Sequence, residues 1–229
     1  MISIDKYVEE LTAELKNAFG DRLLYVGLQG SYLRGEANEN SDIDIMAVID
    51  NLTVEELKAY KKAVMTVGDY DKSCGFICGR EELKNWNVLE ICHLLHTTKD
   101  CFGSLKELVP SYSKADVVNY IKMSIGNLYH ELCHRYVHAD RESNVLYFPQ
   151  TCKGVFFILQ NLQYLKSGVF YSTKKELLEH LDNDMDQAVL SLCIELNSGE
   201  NTDYDFDQAF SLLFDWCQST LVDLRLKCD

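Results

Sequence analysis

The sequence predicts a small α/β unit followed by an all-α helical bundle. Two observations support this. Before about residue 110, short apolar runs alternate with helical patterns, and after it nearly everything carries the helical period. The chain also holds only two prolines, Pro110 and Pro149, so Pro-rich linkers and disorder are not expected, and the join falls near Pro110. We divide it as residues 1–110, a mixed sheet backed by helices, and residues 111–229, a bundle.

Residues 4–18 place Ile4, Val8, Leu11 and Leu15 on one helical face, and Gly20 stops the helix. Leu23–Gln29 is apolar and closed by glycine, which reads as a buried strand. Residues 42–49 alternate as a second strand. Residues 53–66 form a helix capped by Thr53, with acids in its first turn. Ser73–Cys78 is a third strand, 80–95 is mostly helical, and 97–105 holds one more short strand. Four helices follow, over 113–140, 148–167, 173–196 and 204–227. Ser113 and Ser172 or Thr173 serve as caps, and Gly168 as a stop.

Composition narrows the function. The chain has 229 residues, 47% hydrophobic, with a formal charge of −14. A surface this acidic does not coat nucleic acid, which needs a basic footprint. It suits a cationic partner. No apolar run is long enough to cross a membrane, and the first 19 residues carry four acids, so neither a membrane span nor a signal peptide is expected. The nine cysteines are odd in number and mostly lie in apolar patterns. They read as reduced core residues of a cytoplasmic protein.

The informative stretch is GSYLRGEANENSDIDI, from Gly30: a Gly-Ser pair, ten residues, then Asp42-Ile43-Asp44. Gly30 and Ser31 leave a strand and open a helix, whose first N–H groups are free to meet phosphate. Ser31 adds a hydroxyl and Arg34 a positive charge. Asp42 and Asp44 lie two apart on the next strand and so share a face, while Ile43 and Ile45 point to the core. Two like charges held together call for a divalent cation. Mg²⁺ beside a phosphate cradle is equipment for nucleotidyl transfer. The plainer alternative is an Asn- and Glu-rich loop followed by solvated acids.

GSYLRGEANENSDIDIMAVID resembles the signature of the DNA polymerase β-type nucleotidyltransferase superfamily. Its arrangement is similar to the aminoglycoside adenylyltransferases and their bacterial relatives. The resemblance implies ATP as substrate, Mg²⁺ as cofactor, and a small-molecule acceptor such as an aminoglycoside. It places terminal phosphates on Gly30 and Ser31, with Ser41 among the nucleotide-binding residues, and the metal on Asp42 and Asp44. FICGREELKNW and LEICHLLHTTKDCFG resemble the strand, Trp-containing turn and helix that follow. SGVFYSTKKEL resembles a turn whose lysine reaches the triphosphate, here Lys174 or Lys175. The superfamily usually adds a third carboxylate, and the resemblance puts that position at or next to Cys74. Glu90, Asp69 and Asp71 are the nearest substitutes, with Glu90 taken as catalytic beside Asp42 and Asp44. A protein that binds nucleotide without reacting is the alternative.

His130-Glu131-Leu132-Cys133-His134 competes as a zinc-protease HExxH pattern, extended on the same face by His138. Both motifs are rare by residue frequency, so context decides. Arg135-Tyr136-Val137 lacks the glycine that turns the chain toward a third ligand. An RNase bundle, met beside small nucleotidyltransferases in toxin–antitoxin pairs, needs Arg, four to six residues, then His. Arg135 and His138 are too close, and Arg141 has no such histidine.

Overall fold

A computed structural model describes residues 2–198 and 204–226. It divides into two compact units, Met1–Tyr112 and Ser113–Asp229.

The first unit is built on a mixed sheet. β1 (Leu23–Leu28) is central and antiparallel to both β2 (Ile43–Ile49) and β5 (Lys99–Phe102). β3 (Ser73–Cys74) and β4 (Ile77–Gly79) both pair parallel to β2. The expected strand over 73–78 is thus split. Gly75 has φ +139°, and a Cβ there would stand 1.9 Å from the Ile45 carbonyl oxygen. Only glycine permits that approach, so the strand breaks there.

α1 (Ile4–Phe19) and α3 (Val54–Val67) cover one face of the sheet. Leu11, Leu15, Ile43, Ile45, Ala47 and Ile49 form that core. The opposite face carries Tyr25, Met46 and Val48, packed with Cys78, Leu83 and Leu105. Strand alternation therefore puts Asp44 on the Met46–Val48 side, away from α1 and α3. α2 (Gly30–Arg34) joins β1 to the loop before β2. The helical stretch expected over 80–95 is two helices, α4 (Arg80–Lys84) and α5 (Val88–His96), because the Asn87 side chain caps a new start by accepting from the Leu89 amide.

The second unit is helical among its described residues: α6 (Lys114–His138), α7 (Arg141–Ser167), α8 (Lys174–Glu179), α9 (Asp184–Leu196) and α10 (Phe206–Leu226). Residue 227, the expected end of the last helix, lies outside the described residues. α7 starts seven residues before the predicted 148 and runs through Pro149. A proline removes one amide and strands the carbonyl four residues back. Here that carbonyl, on Val145, accepts the Tyr204 hydroxyl at 2.6 Å. The predicted helix over 173–196 is broken at 180–183. Asn183 accepts from the amides of Met185 and Asp186 and so restarts the chain as α9. No helix among the described residues is long and apolar enough to cross a membrane.

Candidate active site

The site lies where β1 ends and β2 begins. The Gln29 amide donates to the Asp44 carbonyl at 2.9 Å, which fixes the start of β2 beside the end of β1. Gly30 follows with φ +69°, and a Cβ there would fall 1.9 Å from Asp44 Oδ2. Residue 30 must be glycine on both counts: backbone sign and space for a carboxylate. Ser31 follows as the second residue of the single helical turn, whose amides have no side-chain cap. With only five residues, α2 offers free N–H groups more than a developed dipole. Gly35 closes it in the left-handed conformation.

Asp42 is exposed and immediately precedes β2, and Asp44 is half-buried on it. Burial pushes the Asp44 carboxyl above its ordinary range. The Cys74 thiol hydrogen-bonds it and Arg34 lies near, both opposing the shift, while Asp42 adds to it. Arg34 also pairs with Glu36, at 2.9 Å. Ser41 is engaged in the approaching turn, where its Oγ accepts from the Asn38 amide at 2.9 Å. A hydroxyl that accepts can still donate.

Cys74 stands directly opposite Asp44 in the parallel β2–β3 register. Burial and the neighbouring Asp44 raise its thiol, so it stays protonated at neutral pH. Glu90 has its own partner. Its carboxylate accepts the Trp86 indole N–H at 2.9 Å, and Trp86 packs edge-on against Phe76. The catalytic role expected of Glu90 would have to be played by a carboxylate that already holds the Trp86 indole from the preceding turn. Asp69 lies instead near the buried Tyr7, on which its charge acts.

Sequence reasoning missed His93, on α5. Burial, with His96 and Arg34 nearby, pushes its imidazole down to about 4 from an ordinary 6.5. The spacing of a single helix cannot reveal a neighbour contributed by α2. The sign is that of a group whose folded value is depressed. Its contribution is intact above about pH 6.5 and is lost as pH falls toward 4, because the unfolded chain takes up the proton first. Thermal unfolding between those values should show falling stability, with a shallower pH slope in His93→Gln.

Among the described residues, no three His, Cys, Asp or Glu side chains gather closely enough to hold a metal. Mg²⁺ needs no such cage. It takes one or two carboxylates and completes its shell with phosphate oxygens and water. Asp42 and Asp44, adjacent and mutually repelling, fit that demand, whereas the soft thiol of Cys74 does not.

In the second unit, Lys174 opens α8 behind a Thr173 capping box. It is half-buried, acts on Cys193, and contrasts with the exposed Lys175. The HExxH helix supplies no protease centre among the described residues. Glu131, the would-be base, accepts the hydroxyl of buried Thr151 at 2.8 Å, and no third ligand joins the histidines.

A family model described as a nucleotidyltransferase domain matches residues 8–88. A Thermococcus cleftensis protein, protein adenylyltransferase MntA, is 38% identical over 72 residues, covering 28% of this chain and 71% of that protein. A Methanocaldococcus jannaschii protein carrying a protein adenylyltransferase name is 34% identical over 58 residues. That match covers 25% of this chain, and the chain spans only 40% of that relative's length. The spectinomycin adenyltransferase of Enterococcus faecialis, solved with ATP and spectinomycin, is similar in fold with TM-score 0.60. The identity is 14%, over 93% of this chain and 99% of that one.

Proposed function

The chain belongs to the nucleotidyltransferase family, and from that premise we propose that it transfers AMP from ATP to an acceptor hydroxyl with the help of Mg²⁺. The observation that carries this reading is the seat of Gly30 against Asp44. A glycine at φ +69°, whose would-be Cβ falls on the Asp44 carboxylate, sets one-turn amides beside that carboxylate, as a metal-bound triphosphate requires.

Gly30 and Ser31 bind terminal phosphates through backbone N–H groups and the Ser31 hydroxyl. Arg34 and Ser41 flank them. Asp42 and Asp44 would hold Mg²⁺, which offsets charge on the transferring phosphoryl group when bound. The acceptor oxygen attacks the α-phosphorus, a new O–P bond forms, and the bond to the β-phosphate oxygen breaks to release pyrophosphate. The hydroxyl proton must leave as this happens. At the position opposite Asp44 the chain offers a protonated thiol, which is a donor and no base. The proton therefore passes to solvent, and turnover is slow.

The acceptor reading we favour is a polycationic, aminoglycoside-like small molecule, which the −14 charge would attract. A protein hydroxyl is the second reading, favoured by the names of the two sequence relatives. A nucleotide-binding protein without useful catalysis is the third, favoured by Cys74. The test is calorimetric titration with ATP, with and without Mg²⁺, followed by pyrophosphate release with aminoglycosides or with protein acceptors. Mg²⁺-dependent binding supports the site, and the productive acceptor chooses between the first two readings. Absence of nucleotide binding would remove the proposal.

A further inference from the structure

The histidine row on α6 is used by none of this chemistry. His130, His134 and His138 stand one helical turn apart and are all exposed. Residues four apart lie one above the other on a helix face, so their imidazoles can converge. Ring centroids are 6.0 Å apart for His130–His134 and 4.9 Å for His134–His138.

We propose that His134 and His138 form a bidentate surface site for a borderline divalent transition-metal ion such as Ni²⁺, Cu²⁺ or Zn²⁺. Neutral imidazole suits these ions, with Cu²⁺ held most tightly. Two nitrogens must each approach the metal to about 2 Å, which favours the closer pair. His138 is also the last residue of a 25-residue helix. A cation there meets the negative end of the helix, two turns nearer than at His130.

The adjacent charged groups do not compete. The Arg135 guanidinium donates to the Ser143 carbonyl at 3.1 Å and lies over the Tyr147 ring at 4.3 Å, so it is directed toward α7. Glu131 is held by Thr151. The remaining coordination positions fall to water. With no third side-chain ligand and no base among the described residues, this is a binding site and not a hydrolytic centre.

The test is calorimetric titration of the untagged full chain with NiCl2. Cys74 and Cys101, the exposed cysteines among the described residues, are changed to serine to remove competing thiols, and Mg²⁺ is kept in excess to occupy the hard carboxylate pair. One Ni²⁺ per chain is expected. His134→Ala or His138→Ala should each weaken it at least about tenfold, and His130→Ala less than about threefold. The three side chains are exposed, so circular dichroism should show these variants folded. Absence of stoichiometric Ni²⁺, indifference to His138→Ala, or loss in His130→Ala would each overturn the assignment.

Discussion

Replacing Asp42 and Asp44 together by asparagine is expected to abolish Mg²⁺-dependent ATP binding and to lower AMP transfer by at least about a thousandfold. Asparagine keeps the shape of each side chain, so the seat of Gly30 against residue 44 survives. What disappears is the charge that a cation would balance. Without a ligand the effect on stability should run the other way. The folded value of Asp44 is raised, so its ionised form is disfavoured by folding, and stability is lost as pH rises through the carboxylate range. A neutral residue escapes that loss. Asp44→Asn should therefore melt higher than the parent at neutral pH when ligand-free. It should gain nothing from Mg²⁺–ATP, where the parent gains by linkage. Thermal melts with and without Mg²⁺–ATP check both halves. Persistence of Mg²⁺-dependent binding in the double variant would show that the metal role is misplaced.

The second large effect is a gain. Cys74→Asp is expected to raise the rate of AMP transfer by about tenfold or more. A positioned base contributes roughly 10²–10⁴-fold, and a short aspartate in an unadapted site should recover part of it. The parallel register aligns residue 74 with Asp44, so the new carboxylate enters the site without backbone movement. It would accept the acceptor's proton where the thiol now donates to Asp44. The same change adds a third like charge, so the ligand-free protein should melt lower and depend more steeply on Mg²⁺. Cys74→Ser is the control and should leave the rate unchanged. If serine lowers the rate and aspartate fails to raise it, the thiol itself serves the reaction and the slow-turnover reading falls.

Both predictions rest on elements that are legible in the amino-acid sequence. β1 and β2 announce themselves as apolar or alternating runs bounded by turn residues, and the Gly-Ser and Asp-x-Asp pairs sit at their ends. Which side of a helix a residue occupies relative to other elements is a different kind of information. Glu90 is legible as an acid on a helix near the sheet, but spacing along that helix does not say that Trp86 engages it. His93 is hidden for the same reason, since its neighbour Arg34 comes from α2. The break at Gly75 depends on the approach of the Ile45 carbonyl, a contact across strands. The early start of α7 is hidden because Pro149 reads as a helix boundary, and the rescue of the Val145 carbonyl comes from Tyr204, 59 residues further along the chain.

That rescue bears on the order in which the second unit assembles. The N-terminal turns of α7 cannot complete their ladder from their own sequence, because the amide that would reach Val145 does not exist. Their closure waits for Tyr204 to arrive from far along the chain, and such a meeting carries a loop-closure cost that a local helical turn does not. Residues 150–167 can coil early, on local contacts. The segment ahead of Pro149 is therefore expected to set after residues 150–167, once the chain near Tyr204 has docked, and Tyr204→Phe should loosen that end of the helix first in amide exchange.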